Sequence, residues 1–297
     1  MKKAIGIDLG GTSIYGGLIS EEGKILKRIE RATPKDSKKS VLEALSQTIE
    51  ELMEEGVVGI GIGSPGCIDS DSGRVLEVGG NIVDWANTDI RGELSKTFKG
   101  IDIFVENDAN VAGLCEKWLG AGRDLENFVM LTLGTGVGGA IYTDKSGILK
   151  GHNFNGGEVG HAILYPRGRQ CNCGQKGCVD MYLSGPGIEM GYFEKTGKQI
   201  RAKEVFKKSL KEEEAKEVVE RFSRDLAIYM ASIKNLFDPQ GIIIGGGVIN
   251  SREYWWDRVL DYYKQECNTP DSLSIVPASF LNDAGMIGAG RVVFLRI

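Results

Sequence analysis

Short apolar runs closed by glycine alternate along this chain with longer stretches whose apolar positions recur every three or four residues. The first pattern predicts buried strands and the second amphipathic helices. Ala4–Asp8 is a strand, Gly10-Gly11-Thr12 a turn and Ile14–Ser20 a returning strand. Glu22-Gly23 turns the chain into a third, Lys24–Arg31. Val41, Leu42, Leu45, Ile49, Leu52 and Met53 share one stripe, which predicts a helix over 40–53. Val57–Gly63 reads as a buried strand ending in Ser64-Pro65-Gly66, and 67–100 as loop-rich. Ile101–Val105 is a strand stopping at Glu106-Asn107-Asp108, with a helix following over Ala109–Leu119.

The second half restarts the pattern. Phe128–Leu133 is a strand, Gly134-Thr135-Gly136 a turn and Gly138–Thr143 a strand. IDLGGTSIYGGLIS and LTLGTGVGGAIYTD align once two residues are dropped, so the chain carries an internal duplication offset by about 120 residues. Helices follow over roughly 186–194, 203–209 and 212–237. The last carries a stripe of Phe222, Leu226, Tyr229, Ile233, Leu236 and Phe237 and is stopped by Asp238-Pro239. Gly241–Ile244 is a strand, Gly245-Gly246-Gly247 a turn, Arg252–Gln265 a helix, Ser274–Pro277 a strand and Ala284–Leu295 a closing helix whose glycines suggest close packing. Strands alternating with helices argue an α/β fold. Two similar halves argue a pseudo-symmetric pair of domains with a cleft between them. The division expected is 1–118 and 119–283, with a last helix at about 284–297 returning to the first domain.

Composition narrows the partners. The chain has 297 residues, 41% hydrophobic and 26% charged, as in soluble globular proteins. A net charge of −5 disfavours a nucleic-acid partner. No apolar run approaches the length of a membrane span. MKKAIGIDLGG enters a strand at once, so no signal peptide is expected. Six cysteines, three of them clustered, fit a reducing cytoplasm better than a disulfide frame, and Cys67, Cys115 and Cys267 read as inert thiols.

Glycine is abundant, at 42 residues, and bunches where strands end. In DLGGT, the backbone N–H groups of the turn suit a phosphate, Thr12 adds a hydroxyl, and Asp8 at the strand end can hold Mg²⁺ through water. LGTGVGG contains G-x-G-x-x-G, but the chain continues as a strand instead of opening a helix. It therefore reads as a second phosphate hairpin (Gly134, Thr135, Gly136) and not as a dinucleotide fingerprint. The bare backbone of Gly245-Gly246-Gly247 suits a flat base or ribose. In ENDAN, 106–110, amides and an acid meet at a strand end, and the same residues make good helix caps.

The most informative stretch is 157–180, GEVGHAILYPRGRQCNCGQKGCVD. It joins Glu158, one of two histidines and three of six cysteines. His161, Cys171, Cys173 and Cys178 form a closed set of four soft ligands for tetrahedral zinc, which predicts a structural site that staples a loop. CNCGQKGCVD resembles the C-x-C-G-x-x-G-C-x-E signature of the ROK sugar kinases and repressors, and GEVGH is similar to their G-E-x-G-H. Where that signature has Glu, this chain has Asp180, one methylene shorter.

The resemblance implies the two-domain actin/hexokinase-like fold, a ribonuclease-H-like duplication, and ATP-dependent phosphorylation of a hexose, glucose at its 6-hydroxyl first. It implies Asp108 as general base and Gly66, Asn81, Asn107, Asp108, Glu158, His161 and Asp180 as sugar contacts, with His161 serving metal and sugar at once. It places ATP along Asp8, Gly10, Gly11, Thr12, Gly134, Thr135, Gly136 and Gly245, Gly246, Gly247, with Mg²⁺ and structural Zn²⁺. N-acetylmannosamine, N-acetylglucosamine, mannose, fructose and allose are alternative substrates. Related enzymes are commonly dimers or tetramers, so a homo-oligomer is expected. A sugar-responsive regulator of the same family is disfavoured, because this chain starts directly at the first strand and is acidic.

Overall fold

A computed structural model describes residues 1–77 and 82–297. The chain divides into two compact units, Met1–Asp124 with Ser146–Gly157 and Asn282–Ile297, and Leu125–Lys145 with Glu158–Leu281. The first unit opens with β1 (Lys3–Leu9), β2 (Ser13–Ser20) and β3 (Ile25–Ala32), then α1 (Lys38–Leu52). Next come β4 (Val57–Ser64), β5 (Cys67–Asp69), β6 (Arg74–Glu77), α2 (Ile90–Ser95), β7 (Ile103–Asn107) and α3 (Asp108–Leu119). Its main sheet has the order β3-β2-β1-β4-β7, with β1 antiparallel to β2 and parallel to β4.

In the second unit β8 (Asn127–Leu133) and β9 (Val137–Thr143) form a hairpin. A two-residue strand, β10 (Gly147–Ile148), lies in the stretch that belongs to the first unit. Helices α4 (Asp180–Leu183), α5 (Gly185–Thr196), α6 (Ala202–Lys208) and α7 (Glu213–Phe237) precede β11 (Gly241–Gly245), α8 (Trp256–Glu266) and β12 (Ser274–Pro277). The strands run β9-β8-β11-β12, with β8 antiparallel to β9 and parallel to β11, and β11 parallel to β12. The pairing β2-β1-β4-β7 thus recurs as β9-β8-β11-β12, the structural form of the duplication. α9 (Ala284–Arg296) closes the first unit.

Each unit buries its own core. Ile5, Ile7 and Leu9 of β1 pack with Ile60 and Ile62 of β4 and with the α1 stripe of Val41, Leu45 and Ile49. In the second unit Leu131 and Leu133 of β8, Ile242 and Ile244 of β11 and Phe222, Leu226, Met230 and Ile233 of α7 form the centre. Glycine brings α9 onto the first sheet and α3 at backbone distance: a Cβ on Gly288 would stand 1.7 Å from the Val111 carbonyl oxygen.

Several expectations are corrected. The stretch expected to be loop-rich contains the antiparallel pair β5–β6 and α2. β7 begins and ends two residues later than expected, so Asn107 is its last residue and Asp108 the first of α3. The helix expected from Arg252 starts at Trp256, after a 3-10 stretch over Gly247–Tyr254. Leu236 and Phe237 are 76% and 43% exposed, because the last turn of α7 runs past the core, although the helix does stop at Asp238 in a left-handed conformation.

Candidate functional site

In the first unit the chemistry gathers at the carboxyl ends of β1, β4 and β7. The β1–β2 turn is closed by the Gly10 N–H donating to the Ser13 carbonyl at 2.9 Å. Thr33, just past β3, braces it: its hydroxyl donates to the Gly10 carbonyl at 2.7 Å and its N–H to the Thr12 carbonyl at 2.9 Å. The Lys35 ammonium donates to the Gly11 carbonyl. Thr12 is exposed at the turn.

Asp8 sits one residue before the end of β1. Burial first, and then the negative charge of Asp108, push its pKa from 3.8 up to about 7. A Cβ on Gly285 would stand 2.4 Å from the Asp8 carboxyl carbon, so only glycine lets the first turn of α9 lie this close to the acid. Asp108 opens α3, where the positive end of the helix dipole favours an ionised carboxylate. Its Oδ1 accepts from the Ala109 N–H at 2.8 Å. Asp8, costly to ionise and facing a like charge, is an acid that a divalent cation would relieve, so Mg²⁺ fits beside it.

Asn107 is the N-cap of α3. Its Oδ1 accepts from the N–H groups of Ala109 and Asn110 at 2.9 and 3.1 Å, and its Nδ2 donates to the Gly66 carbonyl at 3.0 Å. The cap reading of ENDAN therefore holds, and the same side chain joins Ser64-Pro65-Gly66 to the start of α3. A primary amide carries two N–H donors, so one remains for another partner. Buried Glu106 fixes the arrangement by accepting from the Asn107 N–H and the Asn110 amide at 2.9 and 3.0 Å. Asn81 lies outside the described residues.

In the second unit the β8–β9 turn is closed by the Gly134 N–H donating to the Gly136 carbonyl at 2.8 Å. Thr135 and Gly136 are exposed. The Gly185 N–H donates to the Gly134 carbonyl at 2.8 Å, and the Asp180 carboxylate accepts from the Val137 N–H at 2.6 Å. Gly246 has φ +82°, and a Cβ there would stand 2.4 Å from the Leu133 carbonyl oxygen, so Gly245-Gly246-Gly247 lies directly against this turn. The 3-10 turn Val159–His161 packs on the start of β9, where a Cβ on Gly160 would meet the Val137 carbonyl oxygen at 2.0 Å. Burial raises the pKa of Glu158 at the head of that turn, while His161 draws it back down.

The four candidate metal ligands of 157–180 come together. One ligand atom each from His161, Cys171, Cys173 and Cys178 lies within 4.8 Å of all the others. Cys171 Sγ is 3.8 Å from His161 Nδ1 and Cys173 Sγ is 3.6 Å from Cys178 Sγ. Zn–S bonds of about 2.3 Å give tetrahedral edges of about 3.8 Å. The donor set and its spacing are thus compatible with zinc. Gly174 and Gly177, at φ +90° and +85°, make the turns between the thiols. Burial pushes the Cys178 thiol up to about 12, so metal entry would have to release that proton. Arg169 holds the same loop to α5 by a paired contact with Glu194, at 2.9 and 2.7 Å, and by donating to the Met181 and Gly187 carbonyls. No disulfide joins any of the six cysteines, and no helix among the described residues is long and apolar enough to cross a membrane.

Two supporting residues escape the sequence reading, Thr33 and Gly185: no motif marks them, since each acts on backbone remote in sequence. Glu106 lies within ENDAN and Gly285 among the closing-helix glycines, but their partners show only in the fold.

The ROK family's sequence pattern matches residues 4–294. The chain is 36% identical to a glucokinase of Thermotoga maritima, covering 99% of this chain and 98% of the relative. It is also 36% identical to an N-acetyl-D-glucosamine kinase of Vibrio cholerae, over 82% of this chain and 84% of that one. Among solved structures, a ROK family glucokinase from Streptomyces griseus in complex with glucose and AMPPNP superposes with a TM-score of 0.85 at 28% identity, covering 98% of both chains.

Proposed function

This chain belongs to the ROK family, and from that premise we propose that it is an ATP-dependent hexose kinase whose first substrate is glucose. The observation that carries the reading is the 36% identity, over almost all of both chains, to a protein named glucokinase. The glucose- and AMPPNP-bound relative supports ATP as donor.

In this reading residues of both units contact the sugar. Asp108 accepts the proton of the 6-hydroxyl as its oxygen attacks the γ-phosphoryl group, and the bond from that group to ADP breaks. An acid at a helix start, where the dipole favours negative charge, suits a base that need only be weak. Asn107 offers its remaining N–H to a hydroxyl, and Gly66, Asn81, Glu158 and His161 are the further sugar contacts of this reading. His161 turns Nδ1 to the thiols, leaving Nε2 for the sugar. The turns at Gly10, Gly11 and Thr12 and at Gly134, Thr135 and Gly136 receive the phosphates, and Gly245, Gly246 and Gly247 the adenosine. Bound Mg²⁺ would neutralise charge on the transferring group, with Asp8 as its protein partner. His161, Cys171, Cys173 and Cys178 would hold structural zinc and with it the loop carrying Glu158. Six cysteines with no disulfide suit the cytoplasm, and a homo-oligomer, dimer or tetramer, belongs to the same reading.

A sugar panel in a coupled ADP-release assay tests it. Glucose is expected to give the highest kcat/KM. N-acetylglucosamine is the second candidate, on the strength of the relative from Vibrio cholerae. ADP release that no hexose stimulates would remove the kinase reading altogether.

A further inference from the structure

Asp180 is the one place where the sequence departs from the signature it resembles, and its side chain has a definite partner. Oδ1 accepts the Val137 N–H at 2.6 Å. A carboxylate bonded to a backbone N–H is among the stronger hydrogen bonds a turn can receive. Gly136 lies under the same oxygen, where an added Cβ would stand 3.0 Å from Oδ1. The carboxylate thus rests on the turn Gly134–Gly136 and holds its exit into β9.

The far side of Asp180 is equally fixed. Two residues earlier stands Cys178, fully buried within the thiol cluster. The Val179 N–H donates to the Ala162 carbonyl at 2.9 Å, and the Ser184 hydroxyl donates to the Asp180 carbonyl at 2.6 Å. From the same short segment, the Gly185 N–H grips the Gly134 carbonyl at 2.8 Å. The stretch from Cys178 to Gly185 is a brace with the cluster at one end and both sides of the glycine turn at the other. Side-chain length matters here. A glutamate would carry its carboxylate about 1.5 Å further along a C–C bond and overshoot the Val137 N–H.

We propose that Asp180 is a positioning residue that ties the nucleotide's phosphate turn, Gly134–Gly136, to the Cys3His loop, and that it is not a ligand of the sugar. The assignment rests on the kinase reading for the role of that turn, and goes beyond it in giving this acid a different task.

The test compares Asp180→Ala, Asp180→Asn and Asp180→Glu in the full chain. Calorimetry measures Mg·ADP and glucose separately, with zinc content and far-ultraviolet circular dichroism confirming a folded, loaded protein. Asp180→Ala is expected to weaken Mg·ADP about tenfold or more and glucose by less than about threefold, because the lost bond belongs to the turn. Asp180→Asn keeps an oxygen in place and should restore nucleotide binding to within about threefold, while Asp180→Glu should not. Glucose binding weakened about tenfold with Mg·ADP unchanged would make Asp180 a sugar ligand and overturn the proposal. If the alanine variant fails to fold or load zinc, the Asn and Glu variants decide: equal Mg·ADP affinity in both overturns it. Should the wild type bind neither ligand, the kinase reading falls. The brace itself is then read by hydrogen exchange of residues 134–140, which must quicken in Asp180→Glu and stay near wild type in Asp180→Asn for the brace to stand.

Discussion

The β1–β2 and β8–β9 hairpins have the same backbone plan, a glycine N–H closing the turn at 2.9 Å in one and 2.8 Å in the other. They differ in the acid beside them. In the first unit the acid, Asp8, belongs to the strand itself; the turn is braced separately by Thr33, and Asp8 faces the charge of Asp108. In the second unit the acid comes from far along the chain, as Asp180, and accepts a backbone N–H. The difference separates two uses of a carboxylate. One left with burial and a like charge is suited to meet a cation. One satisfied by backbone is suited to hold a shape. A duplicated hairpin has thereby been divided into a charged half and a braced half.

The sharpest probe of the charged half is Asp108→Ala. It should lower kcat by on the order of 10²–10⁴, with glucose affinity partly kept. A kcat near wild type in the ADP-release assay would take Asp108 out of the reaction. For the braced half, stripping zinc with a chelator should weaken glucose binding by about 100-fold or more, since Glu158 and His161 ride on that loop. Tight glucose binding in a sample verified as zinc-free by metal analysis breaks that link.

Asp8→Asn measures the electrostatic cost directly. The folded chain holds the Asp8 proton up to about 7, against 3.8 ordinarily. The folded state therefore binds it more tightly, and stability present below about pH 4 is lost as pH rises through about 7. In chelator-treated protein the amide variant should melt about 2–4 °C above wild type at pH 8, with the gain vanishing near pH 4. A pH-independent difference in melting temperature would mean that Asp8 is not the strained acid. The smallest effect compares the turns themselves. A Cβ on Gly10 meets the Ser13 carbonyl oxygen at 3.0 Å, whereas on Gly134 its nearest neighbour is 3.8 Å away. Gly10→Ala should lower the melting temperature about 2 °C more than Gly134→Ala, and the reverse order would contradict the difference in crowding.

Much of the site was legible because its chemistry is scarce or its spacing strict. His161, Cys171, Cys173 and Cys178 stood out because the chain has few histidines and cysteines, and they do converge within 4.8 Å. The second hairpin was legible as a hairpin, despite its dinucleotide-like glycines, because an apolar strand follows them. The pair β5–β6 escaped because strands of three and four residues are too short to show alternation. Leu236 and Phe237 continue a helical stripe, but periodicity does not say where the facing core ends.

Periodicity, glycine placement and scarce residue types, read along the chain alone, determined the α/β alternation, the duplication and the Cys3His cluster, because each is a local pattern of covalent neighbours. What each acid does was decided only by folding. Asp8 beside Asp108, Gly285 against Asp8, and Asp180 on the Val137 N–H join residues remote in sequence. A carboxylate's task depends on whether the partner it meets there is another charge or a backbone donor.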